Sequence, residues 1–138
     1  MNNLAPDELL SRCVMIDNGV PGDVIEPEGW MFGPDLVRDR HGERYETSVI
    51  LHADQTDEEL DSAGKYIEEV RKKHPRYLGR CVCSVGDVEA VGALNVELHS
   101  SRINAHHANI LGWSNDWSRQ MLETERLAEA STYVPRVS

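Results

Sequence analysis

The densest run of chemistry-bearing side chains lies between His99 and Asn109, where His99, Arg102, Asn104, His106 and His107 crowd into one short stretch. An imidazole exchanges a proton near neutral pH. A guanidinium holds a phosphate or carboxylate in its fork, and a carboxamide such as Asn104 orients either group. These residue types suit acid–base chemistry on an anionic substrate. A polar connection between two strands would use the same side chains, with one histidine capping a turn and another closing a buried strand end. No spacing in the run demands catalysis over that plainer role.

Metal binding is poorly served. His106 and His107 are adjacent, so an extended backbone sends them to opposite faces. Cys81 and Cys83 could join His99 or His107 around zinc only if their strands were neighbours, and Cys-x-Cys without a second pair departs from the usual ligand spacing. The two thiols read instead as small apolar groups on one face of a strand. No metal ligand and no cofactor is expected. His52-Ala53-Asp54 sets a base near a carboxylate, with Glu46 on the His52 face by even spacing, yet a strand end facing water explains the same residues. Walker, dinucleotide-binding, Gly-x-Ser-x-Gly and His-Glu-x-x-His patterns are all absent from the sequence. Trp30, Trp113 and Trp117 fill a core or an interface, and Trp30 and Trp113 are read as partner-facing because they flank polar loops.

Charge narrows the partners. Asp and Glu number 24 against 14 Lys and Arg, a formal net charge of -10. Such a balance repels polyphosphate, and double-stranded nucleic acid is held largely by cationic side chains. The one basic cluster, Arg71, Lys72, Lys73, His74 and Arg76, ends a predicted helix, where positive charge complements the helix dipole. No apolar window approaches the roughly 20 residues that span a bilayer. The first residues, Met1 to Arg12, lack the basic flank and apolar stretch of a secretory signal. Three cysteines, Cys13, Cys81 and Cys83, make no disulfide framework. The reading is a cytoplasmic chain with neither a membrane nor double-stranded nucleic acid as partner.

The elements that must position these residues follow from periodicity and turn chemistry. Cys13–Ile16 is extended. Asp17 to Gly33 is rich in glycine and proline, with Trp30, Met31 and Phe32 pinning the loop to the core. Asp35 to Arg44 reads as charged and irregular. Tyr45 to His52 is a strand, as are Leu78 to Val85, Leu94 to His99 and Ala108 to Trp113. Thr56 with Glu59 forms a capping box that opens a helix, carried by Leu60, Ala63, Gly64, Ile67 and Val70 and stopped by Pro75. Asp87 to Val91 allows one helical turn, and Asp116 begins a last helix through about Ala130. Tyr133-Val134-Pro135 leads out to the terminus. The pattern predicts one α+β domain over residues 1–138, a four- or five-stranded, mainly antiparallel sheet packed by two helices.

Leu9-Leu10-Ser11-Arg12, Glu46-Thr47-Ser48-Val49 and the run from Asn104 to Gly112 together resemble a group of small bacterial proteins. That group has Leu-Leu-x-Arg, Glu-x-Ser-Val and Asn-x-x-His-Ala-x-Ile-x-Gly segments. The resemblance implies that Arg12, Glu46, Ser48, Asn104, His107 and Gly112 belong to one site, and it supplies no reaction. Two functions fit. The first is an accessory or binding protein acting through a larger bacterial protein partner, with homo-oligomers possible. The second is a small enzyme on a phosphoester or nucleotide, with His107 as general acid or base, Arg12 or Arg102 steadying the anion and Glu46 orienting the imidazole.

Overall fold

The computed structural model describes residues 4–17, 26–73, 75–100 and 104–137. Among the described residues, seven strands form one antiparallel sheet: β1 Leu9–Ile16, β2 Asp35–Asp39, β3 Gly42–Leu51, β4 Arg76–Ser84, β5 Asn95–Leu98, β6 His107–Leu111 and β7 Thr132–Pro135. Their order is β5-β6-β3-β1-β4-β7, with β2 hairpinned onto the first half of β3. The same residues hold three helices, α1 Asp57–Val70, α2 Val85–Glu89 and α3 Trp117–Ala130, and a 3-10 turn at Gly29–Phe32, which make the fold α+β.

Alternation sorts the sheet residues. Leu10 and Val14, Val49 and Leu51, Cys81 and Cys83, Val96, and Ala108 and Ile110 form one core face, all buried. Met31 and Phe32 of the 3-10 turn and Leu127 and Ala128 of α3 belong to the same cluster. On the other face lies α1, packed against β4. It connects β3 to β4, two parallel strands separated by β1, and so crosses over β1. The capping box of α1 is complete: Thr56 Oγ1 accepts from the Glu59 N–H at 3.2 Å, and the Thr56 N–H donates back to Glu59 at 3.2 Å.

The expected count of four or five strands and two helices is low. β2 is half-exposed or exposed at every position, so it carries no apolar alternation to read. β7 is a four-residue edge strand on β4, and α2 is a single capped turn.

One seam in the sheet is incomplete. β1 pairs with β4 from Leu9 through Ile16, but with β3 only at Leu10↔Leu51 and Ser11↔Ile50. Beyond Ser11 the two strands part, and Arg12 reaches across: its Nη1 donates to the Ser48 carbonyl at 2.9 Å and its Nε to the Met31 carbonyl at 3.3 Å.

Candidate functional site

The residues expected to form one catalytic group are dispersed. Arg12 alternates with Leu10 and Val14 and lies toward the core-face turn at Met31. His107 pairs with Ile50, so it alternates with Ala108 and Ile110 onto the opposite face. Glu46 shares that second face but stands four positions along β3 from Ile50, roughly 13 Å at strand rise. Its carboxylate is engaged by Arg44 at 3.2 Å, and Arg44 also holds Asp39 at 3.1 Å across the β2–β3 hairpin. Arg12, Glu46 and His107 therefore do not converge.

Local contacts give each remaining residue a role. The His107 Nδ1 lies 3.0 Å from the His99 carbonyl, and the two rings meet edge to face at 5.9 Å. A carbonyl can only accept, so Nδ1 is the donor in this contact. Asn104 accepts the His106 N–H at 2.9 Å through its side chain and the His107 N–H at 3.3 Å through its carbonyl, which makes it the pivot of the turn into β6. Arg102 lies outside the described residues. Gly112 turns the chain after β6 with φ +87, and a Cβ there would run into the Ala93 carbonyl. Its place in the motif is thus explained by backbone geometry.

The tryptophans exchange expectations. Trp113 is 8% exposed, with its indole N–H donated to the Ile110 carbonyl at 3.0 Å, so it closes the core and presents no binding surface. Trp117, four residues on, is 71% exposed. Trp30 is also outward, its indole N–H donated to Glu28 at 2.9 Å.

Sequence reasoning missed a short Ser11 Oγ–His52 Nε2 bond of 2.5 Å. Burial pulls the His52 pKa below its ordinary value, assisted by the positive charge of Arg80. Ser11 is 1% exposed, so its hydroxyl is closed to a substrate, and the pair ties β1 to the end of β3. Among the described residues, no group of three or more His, Cys, Asp or Glu is arranged to hold a metal ion. None of their helices is long and apolar enough to cross a membrane.

What the surface does offer is a flank of α3. Trp117, Met121 and Glu125 succeed one another at four-residue spacing and so stack along the helix. Met121, one turn from Trp117, is exposed, and so is Leu122 further round the helix. Further along, Glu125, Ala128, Glu129 and Ser131 face the segment Glu26–Gly29 across an open groove of about 440 Å³. Four of the residues lining that groove are glutamates: Glu26, Glu28, Glu125 and Glu129. No protein-family model matches the chain, and no match was found among curated proteins or solved structures.

Proposed function

We propose that the protein is an accessory module that binds a larger bacterial protein through the outward flank of α3. The observation that carries this reading is the exposed pair Trp117 and Met121, one turn apart on a line that reaches Glu125 in a groove lined by four glutamates. An exposed tryptophan is a costly surface residue and a frequent interface anchor. Carboxylates at its rim select a partner by charge and speed its encounter. The occupant is a basic segment carrying apolar side chains. A second copy of this chain is disfavoured because each copy carries the same -10 charge. The bacterial setting rests on the resemblance drawn from the Leu-Leu-x-Arg, Glu-x-Ser-Val and His107 segments.

The test is titration of the protein with amphipathic Lys/Arg-rich peptides, alongside a neutral apolar peptide of equal length. The reading expects saturable binding of the basic peptides that weakens with salt and falls about thirtyfold in Trp117→Ala. The double variant Glu125→Gln/Glu129→Gln should flatten the salt dependence. Equal binding of the neutral peptide, or a Trp117→Ala variant that binds as tightly as the parent, overturns it. Concentration-dependent dimerisation lost in Trp117→Ala would reassign the flank to self-association.

A further inference from the structure

The parting of β1 from β3 opens a cleft of about 150 Å³, lined by Arg12, Cys13, Val14, Met15, Trp30, Met31, Ile67 and Arg71. Its floor is the β1 edge that β3 leaves bare beyond Ser11. One wall comes from the 3-10 turn, through Trp30 and Met31. The other comes from the end of α1, through Ile67 and Arg71. The cleft is thus a product of the sheet's incomplete seam, with two elements that lie on opposite faces meeting over its edge.

The cleft is cationic in a strongly acidic protein. Two guanidinium groups line it and no carboxylate does. Arg12 uses two of its five N–H donors among the described residues, both on backbone carbonyls, and no carboxylate there lies within ion-pair distance of it. The carbonyls fix its fork without neutralising its charge. A third cation, Arg80, lies behind Cys13 on β4. Its side chain is 3% exposed and reaches Asp57 at 2.9 Å through Nη2, while Nε and Nη1 are buried without a hydrogen-bond partner. Cys13 senses all three arginines, each favouring its thiolate, yet burial outweighs them and pushes the thiol up to about 11. The sulfur therefore adds no negative charge at neutral pH and is no nucleophile. Two guanidinium groups thus line a recess whose lining holds no carboxylate, with the paired Arg80 behind it. Asp35 and Asp61 act on Arg12 and Cys13, respectively, from outside the lining.

We infer that the cleft between β1 and β3 is a binding site for a compact oxyanion, a phosphate or carboxylate group, taken by Arg12 and Arg71 against the Trp30 ring. Guanidinium forks suit both ligands, since each offers two coplanar oxygens to parallel N–H groups. The volume is that of about five water molecules, room for an inorganic phosphate or a small carboxylate but little more. Trp30 supplies a flat apolar wall for whatever carries the group. The cleft shares the 3-10 turn with the α3 groove, Trp30 lining the one and Glu28 and Gly29 the other, but the inference does not depend on the reading of that surface.

The experiment is a titration of the full chain with inorganic phosphate and, separately, with acetate, at ionic strength held constant by sodium chloride. Binding is read by backbone amide shifts at Cys13 to Met15 and by the thermal midpoint. The inference expects saturable shifts at those amides with one or both anions, and a midpoint that rises with anion concentration. Saturation by phosphate alone assigns a phosphoryl ligand, and by acetate alone a carboxylate. Arg71→Gln changes an exposed residue at the helix end, so the fold survives and affinity should drop about tenfold. Arg12→Lys keeps the charge but loses the fork, and a comparable drop is expected if it folds. Shifts that match those in chloride, or undiminished binding by Arg71→Gln, overturn the inference.

Discussion

α1 and α3 are the same length, fourteen residues each, and they use their surfaces in different ways. α1 is fixed to the fold through its first two turns, while Tyr66 and Val70 further along are exposed. Its N-terminus is closed by the Thr56–Glu59 box, Leu60 is buried, and Gly64 lets the Tyr77 ring lie directly against the helix. Asp61, 2% exposed, takes the Tyr77 hydroxyl at 2.9 Å and Lys65 at 3.1 Å. α3 has no side-chain cap at Asp116, and its apolar surface is divided. Leu127 and Ala128 face inward, while Trp117, Met121 and Leu122 face water. α1 also exposes Tyr66, but Trp117, at 71%, is the most exposed large apolar side chain of either helix. That difference in degree is the ground of the proposal that places recognition on α3.

The comparison can be broken from either side. Leu127→Ala should cost about 3–4 kcal/mol in urea unfolding, because the inward half of α3 is as much core as any strand. A loss under about 1 kcal/mol would mean that α3 is only loosely docked. Gly64→Ala sharpens the contrast. In an exposed helix the change gains about 1 kcal/mol, but here a Cβ would strike the Tyr77 ring, so a net loss of about 2–3 kcal/mol is expected by the same measurement.

Tyr77→Phe should cost about 2 kcal/mol, since it leaves the buried Asp61 short of a donor. The effect carries a pH signature. Burial pushes the Asp61 carboxyl up, but hydrogen bonds from Tyr77, Lys65 and the Val137 N–H outweigh it and hold the group below its ordinary value. A depressed carboxyl stabilises the fold above its unfolded pKa, near about 4, and that stabilisation is lost as pH falls through the lower folded value. The parent should therefore lose more stability than Tyr77→Phe between about pH 5 and pH 2, measured by unfolding across that range. Thr56→Ala should cost about 1 kcal/mol through the lost cap. Smallest of all, Trp117→Ala should leave stability within about 0.5 kcal/mol. A large loss there would return Trp117 to the fold.

The sequence made α1 legible because its signals are local: a cap, a box three residues wide and an apolar stripe at helical spacing. Gly64 and Tyr77 could not be paired that way, since their contact crosses a loop and depends on which face of β4 turns toward α1. β2 escaped reading because its charged, exposed residues need no hydrophobic pattern when the strand lies against only the first half of β3. Trp113 and Trp117 look alike in composition and are separated by the start of a helix. Only the turn after Gly112 decides which one enters the core. The cleft was hidden for a different reason. Arg12 and Arg71 come together because a ladder stops after two pairs, and the place where pairing fails leaves no mark in residue type.

The three cysteines turn the β1–β4 pairing into something that can be timed. Cys13 lies opposite Arg80, Cys81 opposite Arg12 and Cys83 opposite Leu10, so all three sulfurs belong to this one ladder. Burial pushes their thiols up to about 11, 12 and 11. At neutral pH only roughly one thiol in ten thousand, and at Cys81 roughly one in a hundred thousand, is a reactive thiolate. Cys81 and Cys83 are buried, so an alkylating reagent must wait for the strands to separate before it reaches them, and each label there records one such event. Half-buried Cys13 lines the cleft and is reached without opening. Counted by mass over hours, the molecules modified at Cys81 and Cys83 give the opening rate of the centre of the sheet in undenatured protein, with no probe added to the chain.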